Sequence, residues 1–337
     1  MTKQISPIED EQLCTESIRI FSKPLSSNDE MAALTRHQYA KNTVISFTND
    51  WNAFVTFCHE NKIPALPAKA DTVHRYIEKM SASRKLASLK RYIVTISLVH
   101  RCHCLADPCS KTEIRLAMKK QQLEKHNDAQ NAAAFRDEHL QQLLESYALS
   151  TKPKDVRDVA IWAVMFEAML KRSELAALVI DDLTLHTNGL IDVTVGPNTI
   201  ALSSVASKAL QRWLVIGLIH DGFVFRRIDR HSNIGENPLD HSSIYRVFRR
   251  ASDELGMAKA DIFSGQSPRV GAVKDLSDAG LSIPEIQEQG RWKSPAMPAQ
   301  YAGNTDRMRK KSLSTSRTNL GKTNLNSVRH IQTVLAC

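Results

Sequence analysis

Val44, Phe47, Trp51, Phe54, Val55 and Cys58 recur at steps of three and four, which puts them on one face of a helix. Pro64 and Pro67 end that element, and Asp71 is placed to cap a second whose core face carries Val73, Ile77 and Met80. Leu86, Leu89, Ile93, Ile96 and Val99 mark a third helix, and Ile114, Leu116 and Met118 lie in a fourth. No alternating strand pattern occurs before residue 130, so residues 26–128 read as an all-helical domain behind a polar, loosely ordered tail of residues 1–25. The polar, alanine-rich stretch Glu124–Phe135 reads as a linker.

Helical spacing resumes over Glu138–Tyr147 and Val156–Met169. A short β passage follows: Gly189–Val195, a turn at Gly196-Pro197-Asn198, then Thr199–Leu202. Further helices are expected over Ser204–Gly217, Ser242–Leu255 and Gln266–Asp278, with another beginning at Pro284, where the missing N–H costs nothing. The fold class predicted is mainly α: an all-helical N-terminal domain, then a mostly helical domain with one small antiparallel sheet.

Composition narrows the function. The 337 residues carry a net charge of +9 and are 42% hydrophobic, which fits two globular domains with a polyanionic partner. No apolar run reaches the roughly 18 residues that span a bilayer, and the acidic N-terminus lacks a secretory signal. A cytoplasmic, nucleoid-associated protein with reduced cysteines is expected. His100, Cys102, His103, Cys104 and Cys109 cluster, but their spacing fits no zinc pattern, so no metal is assigned.

The segment Phe263–Tyr301 carries the chemistry. Its pieces SGQSPRVGA, AGLSIPEI and GRW, with a tyrosine nine residues after the tryptophan, resemble the active-site segment of tyrosine recombinases of the phage integrase family, the Cre-like ones above all. KRSELAAL, the AAAF linker and the helical first half fall in the order of that family. The resemblance implies the fold of the DNA breaking-rejoining enzymes: a core-binding domain over 26–128, a catalytic domain over 129–314, and a tail over 315–337 able to form a docking helix. It also implies cleavage by attack of a tyrosine hydroxyl on a phosphodiester, through a 3′-phosphotyrosyl intermediate that needs no cofactor.

Carried over residue by residue, Tyr301 takes the nucleophile's place, Arg269 that of an arginine gripping a phosphate oxygen, and Trp292 that of an indole donor to the phosphate. Glu174 takes the place of an acid that orients the cations. Three positions depart from the family. Lys171 stands where its first arginine is expected, with Arg172 one residue later, and a lysine lacks the bidentate fork. Gln266 replaces the histidine and cannot shuttle a proton. Asn198 stands where a turn lysine would protonate the leaving oxygen, and no lysine lies between Lys171 and Lys208.

The implied partner is double-stranded DNA with a specific target site, gripped by a two-domain clamp. The implied assembly is a homo-oligomer, a dimer on each site and a tetramer at synapsis. Candidate DNA contacts are Lys41, Arg84, Lys85, Lys90, Arg91, Lys119 and Lys120 in the first domain, and Arg246, Arg249 and Arg250 in the second. A solvated basic face is the competing reading for each group. Two functions stay open at this point: a site-specific recombinase with a rewired active site, and a non-catalytic DNA-binding relative with an architectural, partition or regulatory role.

Overall fold

A computed structural model describes residues 5–125 and 132–303. It divides into two compact units, residues 1–130 and 131–337, so the division falls inside the expected linker.

Among its described residues unit 1 holds helices and no strand: α1 (Glu11–Phe21), α2 (Asp29–Leu34), α3 (Lys41–Glu60), α4 (Ala70–Ser81), α5 (Leu86–Cys102) and α6 (Thr112–Glu124). The predicted face of α3 is buried, with Trp51, Phe54, Val55 and Cys58 fully enclosed. Against expectation, residues 11–25 are not a loose tail. Asp10 caps α1 by accepting from the Leu13 N–H at 2.8 Å, and Phe21 and Leu25 enter the core. The Trp51 indole donates to the Phe21 carbonyl at 3.0 Å, which fastens α1 to α3. Two smaller corrections concern α4 and α6. Lys69, not Asp71, sits at the N-cap of α4, and Leu116 faces solvent.

Of the His/Cys cluster, His100, Cys102, His103 and Cys109 are buried in the core, while Cys104 is exposed. His100 uses one ring nitrogen on the Ile96 carbonyl at 2.8 Å and accepts from the Ala68 N–H with the other at 2.9 Å. His103 likewise meets the Val99 carbonyl at 2.7 Å and the Ser17 hydroxyl at 2.7 Å. Burial lowers both imidazole pKa values and pushes the Cys102 thiol up to about 11.

Unit 2 runs α7 (Asp137–Ser146), α8 (Pro153–Glu167), α9 (Arg172–Ala177), β1 (Leu183–Leu185), β2 (Ile191–Val195), β3 (Asn198–Ala201) and α10 (Ser204–Ile216). Then come β4 (Arg226–Ile228), β5 (Ile234–Pro238), α11 (His241–Glu254), α12 (Ser267–Asp278), α13 (Ile283–Gln289) and α14 (Ala296–Tyr301). Helix α8 is enclosed from Asp155 to Phe166 and is apolar all round from Val159 to Phe166, as the centre of a core requires. Its neighbours contribute Trp213, Phe248, Phe263 and Phe135 to one core.

Strands β1, β2 and β3 form an antiparallel meander, with Val193 opposite Ile200 and Val195 opposite Asn198. A second, two-stranded sheet of β4 and β5 adds to the one sheet expected. The end of the predicted linker is also core: Phe135 is fully buried and its N–H donates to the Ser267 carbonyl at 3.1 Å. Gly271 permits this, since a Cβ there would lie 1.7 Å from the Phe135 carbonyl oxygen. Among the described residues no helix is long and apolar enough to cross a membrane.

Candidate active site

Four segments of unit 2 meet where α8 ends. Met169 takes a left-handed turn there (φ 45°), and its carbonyl, like that of Ala168, is left outside the helix ladder. Leu170 and Lys171 follow, and Lys171 caps α9. Pro268 in the first turn of α12 leads to Arg269, which points inward with only 3% of its surface exposed. That excludes a surface arginine at a helix start.

The Arg269 fork holds two chain segments at once. Nη1 donates to the Met169 carbonyl, and Nη2 donates to the Gly290 carbonyl at 3.0 Å. Trp292 lies against the guanidinium, with Cζ 4.1 Å from the indole centroid, a cation–π distance. Gly290 makes room for that ring, because a Cβ would sit 1.7 Å from an indole carbon. Tyr301, at the end of α14, meets the same indole edge-to-face with centroids 6.2 Å apart. Its ring packs on Val270, Val273 and Ile286. The guanidinium, the indole and the phenol therefore converge.

Electrostatics follow from burial. Desolvation pushes the Tyr301 phenol above its ordinary range, and the Arg269 charge pulls it back. Burial lowers the Arg269 pKa, while Glu174 opposes that shift and Arg291 adds to it. Burial also pushes the Glu174 carboxyl up, but hydrogen bonds from Lys171 and the charges of Arg291 and Lys171 hold it below the usual value.

Lys171 donates to Glu174 Oε1 at 2.7 Å through Nζ and to Oε2 at 2.8 Å through its backbone N–H. Its ammonium is thus half-exposed and tied to the acid by a point contact. Arg172 instead runs across the Gly265 backbone, where a Cβ would come within 2.3 Å of its Cδ. Gln266 is exposed at the N-cap of α12. Asn198 is exposed where the β2–β3 turn enters β3.

Arg291 is the residue that sequence reasoning missed. It donates to the Ala168 carbonyl at 3.0 Å, the Met169 carbonyl at 3.2 Å and Glu174 Oε2 at 3.2 Å. The only signal was its place in GRW.

The candidate DNA contacts divide. Lys41, Arg84, Lys85, Lys90, Lys119 and Lys120 are exposed, with Lys120 3.8 Å from Glu124. Arg91 is different, because its fork closes bidentately on buried Asp50 at 2.6 and 2.8 Å. On α11, Arg246 is exposed and donates to the Ser243 hydroxyl, and Arg249 is half-buried. Arg250, expected to face DNA, is committed to the core: it donates to Asp155 at 2.6 Å, Asp158 at 3.0 Å and the Tyr147 hydroxyl at 2.9 Å. Arg91 and Arg250 are thus both engaged in ion pairs within their own units, Arg91 with 46% of its side chain still exposed and Arg250 with 22%. The basic residues after Tyr301 (Arg307, Arg309, Lys310, Lys311) and the expected docking helix lie outside the described residues.

The family model of the phage integrase family matches residues 133–308, more than half the chain. The chain belongs to that family, the tyrosine recombinases. Recombinase cre of Escherichia phage P1 is 24% identical over 290 residues, covering 78% of this chain and 83% of that protein. An integrase/recombinase xerD homolog of Selenomonas ruminantium is 25% identical over 281 residues, covering 78% and 81%. In fold, the chain resembles the XerH site-specific recombinase in a post-cleavage complex with difH (TM-score 0.59, 12% identity, 93% of this chain and 92% of that one). It also resembles the Tn1549 transposon integrase bound to circular intermediate DNA (TM-score 0.58, 13% identity, 88% and 98%). The mainly α architecture with small antiparallel sheets is that of this family.

Proposed function

We propose that this family member binds a specific duplex site and cleaves and rejoins DNA strands through Tyr301. The observation that carries the reading is the convergence of Arg269, Trp292 and Tyr301, brought from three segments onto one cluster. In the proposed step the Tyr301 oxygen attacks phosphorus, a P–O bond to the tyrosine forms, and the bond to the 5′ oxygen breaks. The phenol loses its proton and the departing oxygen gains one. Rejoining reverses both, so the phosphodiester energy is kept in the phosphotyrosyl link. Arg269, with a fork made rigid by two carbonyls, is suited to the charge that builds on the nonbridging oxygens. Trp292 supplies an indole N–H donor beside it.

A second reading is a DNA-binding relative that does not cut. It is favoured by Asn198, since an amide at the β2–β3 turn cannot protonate a leaving alkoxide. Site selection from a random DNA pool, followed by a nicked duplex of the selected sequence, separates the two. A denaturation-resistant adduct that disappears in Tyr301→Phe, with duplex affinity retained, is expected. Tight binding with no adduct would move the assignment to the second reading.

A further inference from the structure

Arg291 occupies a backbone position that side chains seldom take. It follows the C-cap Gly290 of α13 with φ 56°, in the left-handed region where an L-residue is disfavoured and glycine is not. What the arginine gains is burial of its guanidinium against the end of α8, with 9% of its side chain exposed. Nη1 and Nη2 are engaged there, while Nε is buried and without a hydrogen-bond partner among the described residues.

Two cations therefore share one acceptor, because the Met169 carbonyl takes hydrogen bonds from both Arg269 and Arg291. Like charges so close repel each other, and Glu174 offsets this by pairing with Arg291 at 3.2 Å through Oε2. Its other oxygen holds Lys171, whose ammonium has no fork to organise the carbonyls. The site thus lacks an arginine at 171 and holds an additional one at 291.

We propose that Arg291 is a positioning residue for strand cleavage, standing in for the arginine absent at 171. It fixes the Met169 carbonyl and Glu174, and through them the fork of Arg269. It also adds a second permanent positive charge beside that fork. This rests on the recombinase reading above, and the test separates the two.

Arg291→Asn keeps a residue that tolerates the left-handed turn and removes the charge, and Arg291→Gly removes both side chain and strain. Side-chain nitrogen NMR of Arg269 in the free protein is the first measurement. Separate, slowly exchanging Nη signals are expected in the parent and averaged ones in both variants. Unchanged Arg269 signals would overturn the proposal whether or not any adduct ever forms. The second measurement is the adduct rate on the nicked target. A loss of roughly 100-fold, the scale of a misplaced catalytic group, is expected in both variants with duplex affinity kept. Partial recovery is expected in Arg291→Lys. Combining Arg291→Asn with Arg269→Lys is expected to cost no more than Arg269→Lys alone, because the two act as one unit. Additive losses would assign Arg291 a merely structural role. A parent protein that binds but forms no adduct defeats the recombinase reading and leaves the NMR comparison to decide this one.

Discussion

Replacing Arg269 with lysine keeps a positive charge and removes the fork. The structure allows the cost to be worked through. Two hydrogen bonds from a charged donor to buried carbonyls, at Met169 and Gly290, are broken or left to one ammonium. Each such bond contributes about 1.5–3 kcal/mol, and the stack on Trp292 at 4.1 Å adds about 1 kcal/mol. Lysine restores one of the two bonds. The net loss is about 3 kcal/mol, and an orphaned carbonyl is part of it. For a unit of this size each kcal/mol lowers the midpoint by about 2–4 °C, so differential scanning calorimetry should find the unit 2 transition about 10 °C lower. The same variant should lose covalent adduct formation by at least about 100-fold, because the planar grip on the phosphate is gone. A midpoint within about 2 °C of the parent, together with an unchanged adduct rate, would refute the assignment of Arg269 as the keystone of the site.

Three further outcomes follow from particular residues. Asn198→Lys puts an ammonium acid at the β2–β3 turn and should raise the cleavage rate by about 100-fold without changing duplex affinity; no gain would mean that this turn does not approach the leaving oxygen. Glu174 is held below its ordinary pKa of 4.5, so the carboxylate contributes stability above that value, lost as the pH falls through the lower folded one. Glu174→Gln should therefore flatten the acid-side decline of stability below about pH 4.5 in chemical denaturation, and an unchanged acid limb would count against the pairing with Lys171 and Arg291. Arg91→Ala strips the partner from Asp50, whose side chain is 3% exposed, and should destabilise unit 1 by about 2 kcal/mol in a urea titration. Loss of DNA affinity alone, with the midpoint unmoved, would return Arg91 to the DNA-contacting set.

Helices α3, α4 and α5 of unit 1 were legible because each carries an apolar stripe at helical period, as α3 does from Val44 to Cys58. Helix α1 was not, since its single buried residue, Phe21, sits at its last position behind a polar stretch. Strands β1 and β4 have three residues each, too short for alternation to show. Of the candidate site, Arg269, Trp292 and Tyr301 could be named because the segment Phe263–Tyr301 resembles that of the tyrosine recombinases. Arg291 could not, because its role arises from a left-handed turn that brings it to carbonyls some 120 positions earlier in the chain. The same limit explains Arg91 and Arg250. Sequence shows a basic face, while Asp50 and Asp155 reach those guanidinium groups only after folding.

In the proposed cleavage a phenol, a guanidinium and an indole act on one phosphorus. A crystal structure with orthovanadate and a nicked target duplex would show whether they do. Vanadium bonded to the Tyr301 oxygen, with Arg269 and the Trp292 Nε1 within hydrogen-bond reach of its equatorial oxygens, is the predicted result. Duplex bound in register with no vanadate at Tyr301, or with Arg269 still turned wholly to its carbonyls, would contradict it.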